Sequence, residues 1–231
     1  LEDREAGRLL LELDEEALRI GVAAHPHGDA IAARRIEVGG GIARRDARQR
    51  LLAVIEVGIP SDEQADEPLD ARTHPGEAGD IGTTLTLAVV EAGRATVAHV
   101  GDSRAYLWRD GKLRQLTEDH SVPGALLKQG RITPEEVQSH PHRNVLYRCL
   151  GLKPDLEVDI YPSFALYSGD ALLLCSDGLW DMVYPVERLA EFLTAGDTPS
   201  RICHRLVDAA NEAGGEDNIT AVLVRVEERH G

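Results

Sequence analysis

Leu172-Leu173-Leu174-Cys175-Ser176-Asp177-Gly178-Leu179-Trp180-Asp181 drives an apolar strand straight into two aspartates four residues apart. Taken alone, the segment reads as a strand that stops at an Asp-Gly turn and passes into a helix whose first turn welcomes negative charge. The chain repeats the device. Ala95 to Leu107, ATVAHVGDSRAYL, also runs a strand into Gly-Asp, and Gly214 to Val224, GGEDNITAVLV, sets Asp217 at the mouth of another strand. Three strand-end aspartates point to one convergent acidic site.

Composition bounds what such a site can serve. The chain has 231 residues, 42% of them hydrophobic, enough for a sizeable core. With 25 Lys+Arg against 40 Asp+Glu, the formal charge of −15 repels nucleic-acid backbones and anionic membranes, so neither is an expected partner. The three cysteines, Cys149, Cys175 and Cys203, are odd in number and lack CxxC spacing, which fits the reducing cytoplasm. The N-terminal LEDREAGRLLLELDEEALRI is too charged for a signal peptide, and no apolar run approaches the ~20 residues that span a bilayer. The first residue is Leu1 rather than Met, which leaves open that the chain is part of a longer protein.

Ala6, Leu9, Leu10, Leu13 and Ala17 recur at helical spacing and predict an amphipathic helix over 1–17. Strands are expected at 18–24, 30–38, 50–57, 83–91, 94–101, 104–109, 155–161, 171–176 and 218–226. Helices are expected near 122–130, 134–139, 185–194 and 199–212, the last capped by Thr198 with Pro199 at its first position. Residues 59–80, acidic and rich in Pro and Gly, read as a solvated loop. Strands in two groups with helices between the late ones predict an α+β fold. It is a single domain over 1–231, a β-sandwich of two antiparallel sheets flanked by helices.

Specific residues carry a resemblance. GTTLTLAVV (Gly82 to Val90), AHVGDSRAYLWRDGKLRQLTEDHS (Ala98 to Ser121), ITPEEVQSHPHRNVLYRCLG (Ile132 to Gly151), LLLCSDGLWDMV and GGEDNITAVLV follow a known order. It resembles that of metal-dependent protein serine/threonine phosphatases of the 2C type, the PPM family. The resemblance implies two Mg²⁺ or Mn²⁺ ions at one end of the sandwich, Asp177 and Asp217 each binding a metal. It also implies that Asp102 and Asp181 serve a weaker third metal, with Asn218 as a neighbour of the ligands.

The chemistry is sensible in its own right. Two carboxylates about 5 Å apart repel by roughly 3 kcal/mol at an effective dielectric of 20, so several converging ones need protons or cations. Oxygen ligands without His or Cys select Mg²⁺ or Mn²⁺ over zinc. A pair of such ions can generate hydroxide from bound water at neutral pH and clamp phosphoryl oxygens. The ions also invert the local field, so that an anionic phosphoprotein can approach an acidic protein.

The N-terminal third departs from the family. The resemblance calls for an Arg ahead of an Asn-Glu-Asp triplet, but RIGVAAHPHGDAIAA offers His25, His27 and Asp29, Asp29 being the remaining acid for a metal. No Arg lies between Ile20 and Ala33, which leaves Arg34 or Arg35 to grip phosphate. In LLAVIEVGIP, Glu56 aligns with the family's metal-bridging Asp, and Val57 with a Gly that offers its carbonyl. Gly58 to Gly82 is too short for the two long helices the family places there, so one helical layer is expected to be reduced. The exposed sheet face would then call for self-association, the first helix, or another part of a longer chain.

Other residues have plainer readings. His99 reads as a core residue, His120 as ordering a loop, Trp180 as a core anchor, and His140 and His142 as fixing a turn. Arg143 reads either the same way or, in the family's flap beside the active site, as a substrate contact. Two functions are therefore expected. One is metal-dependent hydrolysis of phosphoserine or phosphothreonine in proteins. The other is a pseudophosphatase that keeps the fold as a binding or regulatory module.

Overall fold

The computed structural model describes residues 18–25, 50–58, 82–151, 155–194 and 196–227, the first two segments as strand backbone. Nine strands are described: β1 Leu18–His25, β2 Arg50–Gly58, β3 Gly82–Glu91, β4 Arg94–Val100, β5 Arg104–Arg109, β6 Lys112–Gln115, β7 Asp159–Ala165, β8 Ala171–Cys175 and β9 Ile219–Val226. The described helices are α1 Val122–Lys128, α2 Pro134–Gln138, α3 Asp177–Trp180, α4 Glu187–Leu193 and α5 Pro199–Glu212. Two antiparallel sheets result, one ordered β1-β9-β8-β5-β6 and the other β2-β3-β4-β7.

Local sequence explains the pieces. Alternation in β3 buries Thr84, Thr86, Ala88 and Val90 and leaves Leu85, Leu87 and Val89 half-buried on the opposite face, the period-2 pattern of a strand. Tight turns at Ala92-Gly93 (φ +48° and +72°) and Asp110-Gly111 (φ +51° and +75°) join β3 to β4 and β5 to β6. Positive φ at both central residues is the hairpin geometry that matches strand twist. Thr198 Oγ1 accepts the Arg201 amide at 3.4 Å and opens α5. That helix then buries Ile202, Cys203, Leu206, Val207 and Ala210 along one stripe.

The run Leu172-Leu173-Leu174 is apolar throughout because β8 is covered on both sides. Leu172 and Leu174 meet Ala88, Val97, Val222 and Val224 between the sheets. Leu173 and Cys175 face the other way, into a core shared with Leu189 and Leu193 of α4 and with Ile202 and Leu206 of α5. Antiparallel pairing then sets the end of β8 beside the start of β9, since Cys175 pairs with Ala221, and beside the start of β5, since Arg104 pairs with Cys175. Three sequence-distant chain ends therefore meet at one edge of the sandwich.

Most expected elements stand within a few residues of their expected ends. The strand expected at 155–161 instead spans Asp159–Ala165. It runs through Pro162 because β7 is an edge strand, where a missing N–H need not break a ladder, and its register with β4 shifts between Ala95 and Val97. Short β6, KLRQ, had no apolar alternation to reveal it and follows from the Asp110-Gly111 turn. The helix expected over 1–17, the strand at 30–38 and the loop at 59–80 lie outside the described residues. So does the connection from β2 to β3, where the reduced helical layer would fall.

The two-sided burial of β8 is testable. Leu173 is fully buried whereas Leu127 is 37% exposed. Leu173→Ala should lower unfolding free energy by about 2–5 kcal/mol in urea titration, and Leu127→Ala by no more than about 0.5 kcal/mol. Similar losses would contradict the packing.

Candidate metal centre

The corner between β8 and β9 is closed by a serine and a glycine. Ser176 Oγ donates to the Asn218 carbonyl at 2.9 Å and accepts the Thr220 amide at 2.9 Å, while its own amide reaches the Thr220 carbonyl at 3.2 Å. At Gly178 a Cβ would stand 2.4 Å from the Asn218 oxygen and 3.2 Å from the Asp217 carbonyl carbon. The SDG and DN segments thus touch through backbone that admits no side chain, which brings Asp177 and Asp217 to the same corner. Asp177 Oδ1 accepts the Gly178 amide at 2.7 Å and Asp217 Oδ1 the Asn218 amide at 2.6 Å.

The turn from β4 to β5, Gly101-Asp102-Ser103, is gripped from every side. Gly101 has φ +109°, and a Cβ there would stand 2.4 Å from Thr84 Cβ, so both conformation and space require glycine. Its amide donates to His120 Nδ1 at 3.0 Å and its carbonyl accepts the His120 amide at 2.7 Å. Trp180 Nε1 donates to the Asp102 carbonyl at 3.0 Å. Thr84 and Ser103 share a hydroxyl contact of 2.7 Å, and Thr86 Oγ1 donates to the Ser103 carbonyl at 2.9 Å. Arg104 lies flat on Trp180, 3.4 Å from the ring centroid, and holds Asp119 through two nitrogens at 2.9 and 2.7 Å.

Within this cage Asp102 is 6% exposed. Burial pushes its carboxyl well above the usual carboxylate range, the charges of Asp177 and Asp119 push it further, and Arg104 offsets part of the rise. Asp181, at the end of α3, accepts Gln138 Nε2 through its carbonyl at 2.9 Å. Arg143 reaches from the loop after α2 to Asp181 at 3.7 Å and to Glu216 at 3.3 Å, and so bridges two acids at the rim.

Glu56 is the register partner of Thr84, and Val57 that of Thr83. That pairing sets the backbone of position 56 beside Thr84, whose hydroxyl touches Ser103. Asp29, Arg34 and Arg35 lie outside the described residues. Among the described residues no three His, Cys, Asp or Glu side chains by themselves form a metal-holding group. The donors fit a hard divalent cation nonetheless. They are carboxylates without His or Cys, and a buried one stands in the field of another, which a cation would offset.

Sequence reading expected Asp102, Asp177, Asp181 and Asp217 to share one acidic site and missed the side chains that hold the Gly101 to Ser103 turn. Thr84 and Thr86 were the available signal, two hydroxyl residues at inward positions of an otherwise apolar strand. Trp180 is a core anchor as expected, but its indole N–H also fixes the acidic turn. His120 orders a loop as expected, and the loop is that same turn.

The electrostatics predict an inverted mutational effect. An acid whose pKa is raised by folding stabilises the native state while protonated, and that contribution is lost as pH rises from the ordinary carboxylate pKa through the folded one. At neutral pH with chelator present, Asp102→Asn should therefore raise the melting temperature. With Mn²⁺ in excess the order should reverse, since the unmutated protein gains more from the ion. A lower melting temperature for the variant in chelator would contradict the repulsion.

Comparison with known proteins agrees with this geometry. A serine/threonine phosphatase, stp, of Listeria monocytogenes is 44% identical over 144 residues, which cover 62% of this chain and 56% of that protein. The chain thus spans about half the length of the curated relatives it matches. A crystal structure of the Mycobacterium tuberculosis serine/threonine phosphatase PstP/Ppp superposes with a TM-score of 0.70 at 29% identity, covering 91% of this chain and 99% of that one. The catalytic domain of PstP in complex with two manganese ions superposes with a TM-score of 0.67 at 27% identity, over 91% and 99% of the two chains. The family model for protein phosphatase 2C matches residues 30–200. The chain belongs to the protein phosphatase 2C family.

Proposed function

We propose that the chain is a metal-dependent serine/threonine phosphatase that hydrolyses phosphoserine and phosphothreonine in proteins. The observation that carries this reading is the convergence of Asp102, Asp177 and Asp217 at one sandwich edge, the buried one destabilised by its acidic neighbour. Asp177 and Asp217, with Glu56, the Val57 carbonyl and Asp29, would hold two Mg²⁺ or Mn²⁺ ions, and Asp102 and Asp181 a weaker third. Bound ions of this kind supply a hydroxide nucleophile at neutral pH and neutralise phosphoryl oxygens. The PstP structure with two manganese ions supports that cofactor choice.

The chain's own residues do the positioning. Ser176 and Gly178 fix the separation of the SDG and DN segments, and Trp180 and the Thr84–Thr86 pair fix the Asp102 turn. Arg143 stands at the rim beside a hollow of about 400 Å³ that includes Gln138, His140 and His142 in its wall. It is a candidate to meet substrate phosphate or its flanking residues, as is Arg34. Residues 1–231 form one phosphatase domain in this reading. Its place is the cytoplasm, and its partners are phosphoproteins. No described helix is long and apolar enough to cross a membrane.

A phosphothreonine peptide tests the proposal. The unmutated protein should hydrolyse it with Mn²⁺ and stop when chelator is added. Glu56→Gln and Asp177→Asn should each lower the rate by on the order of a hundredfold or more, since even partners behind metal ligands are worth about 10–100-fold. Circular dichroism should remain unchanged. Mn²⁺ binding without turnover would favour a binding module, and hydrolysis indifferent to chelator would refute metal catalysis.

A further inference from the structure

The second sheet carries a buried polar cluster that the acidic centre does not include. His120 is 2% exposed. Its Nδ1 accepts the Gly101 amide at 3.0 Å, so that nitrogen carries no proton. Its Nε2 lies 3.0 Å from Asp159 Oδ2 on β7, which makes it the protonated nitrogen and the donor. Arg148 Nη1 is 3.3 Å from the same Nε2, but both are donors, and the arginine's bond is to Asp159 Oδ1 at 2.6 Å. Burial works against the Asp159 carboxylate, and the bonds from His120 and Arg148 outweigh it and lower its pKa.

His99 forms the other wall, its ring centroid 4.8 Å from that of His120. Thr86 spends its hydroxyl proton on the Ser103 carbonyl and so accepts from His99 Nδ1 at 2.9 Å. That leaves His99 Nε2 as a buried lone pair without a hydrogen-bond partner among the described residues. Burial lowers the His99 pKa to about 4, so the ring stays neutral. Tyr147 also lies beside His120, 5.8 Å between centroids, and its amide donates to the His120 carbonyl at 3.0 Å. The imidazole is thus held through both ring nitrogens, by neighbouring rings and through its backbone.

We propose that His120 is a positioning residue for the acidic centre. Locked as the Nε2–H tautomer by Asp159, itself held by Arg148, it presents Nδ1 to the Gly101 amide and sets the turn that aims Asp102 toward Asp177. A linear path results, from Arg148 through Asp159 and His120 to Gly101. It ties the loop after α2 and the edge strand β7 to the centre. The role rests on the assignment of Asp102 to the metal centre, but the relay itself exists without metal and can be read without it.

Nuclear magnetic resonance on the chelator-treated full chain decides the relay. The His120 ring nitrogens should report a neutral Nε2–H tautomer. The Gly101 amide should exchange at least about tenfold faster in His120→Ala, the factor set by roughly one lost hydrogen bond. Asparagine carries its oxygen near the Nδ1 position, so His120→Asn should restore slow exchange. Glutamine, which reaches toward Asp159 instead, should not. A charged or Nδ1–H ring in the unmutated protein would overturn the relay, as would equal exchange in the Asn and Gln variants. Mn²⁺ titration of the same samples should then show affinity falling about tenfold or more in the Ala and Gln variants and recovering in the Asn variant, the usual scale for a residue behind metal ligands. Unchanged affinity alongside altered Gly101 exchange would overturn the positioning role. Failure of the unmutated protein to bind Mn²⁺ would instead refute the metal assignment, while the exchange data still judge the relay.

Discussion

A buried carboxylate within the field of another carboxylate is the constraint on which the rest of this structure depends. Asp102 is shielded from water and stands within the field of Asp177, with only part of the penalty offset by Arg104. A chain tolerates such a group only where surrounding interactions hold it in place, and functional sites are where such local costs concentrate. Here the holding is specific. The Gly101 amide and the Asp102 and Ser103 carbonyls are each bonded by a side chain from a different segment: His120, Trp180 and Thr86.

The sandwich supplies the leverage. β8 is fixed on both faces by apolar cores, and β9 and β5 are paired to it without a register break. Their ends therefore have no freedom to drift apart under charge repulsion. Arg104 joins the two levels, since it lies on Trp180 while it neutralises Asp119. One guanidinium thus packs the anchor of the acidic turn and offsets part of the repulsion that Asp177 and Asp119 impose on Asp102.

Much of this was legible in the chain. Apolar runs that stop at Asp-Gly or Gly-Asp, or start after Asp-Asn, marked the strand ends, because a strand is apolar where it is buried and a turn adjoins it. Element order and the sandwich were readable for the same reason. What the sequence could not show was which ends share an edge and which polar side chains reach across. Thr86, His99 and His120 are each ambiguous in one dimension, since a hydroxyl or an imidazole inside a strand pattern fits a core, a loop or a site equally well. β7 was misplaced because Pro162 reads as a strand end until the strand is known to lie at a sheet edge. Position 56 is the informative middle case. Its alignment with a bridging acid came from resemblance, and its pairing with Thr84 comes from register.

The central claim is that the acidic strand ends exist to hold divalent cations. Calorimetric titration of the metal-free protein with Mn²⁺ tests it most directly, run beside Asp177→Asn and Asp217→Asn. The account predicts saturable binding of about two ions by the unmutated protein and loss of at least one of them in each variant. Absence of binding heat, or the same heat and stoichiometry in all three proteins, would contradict it.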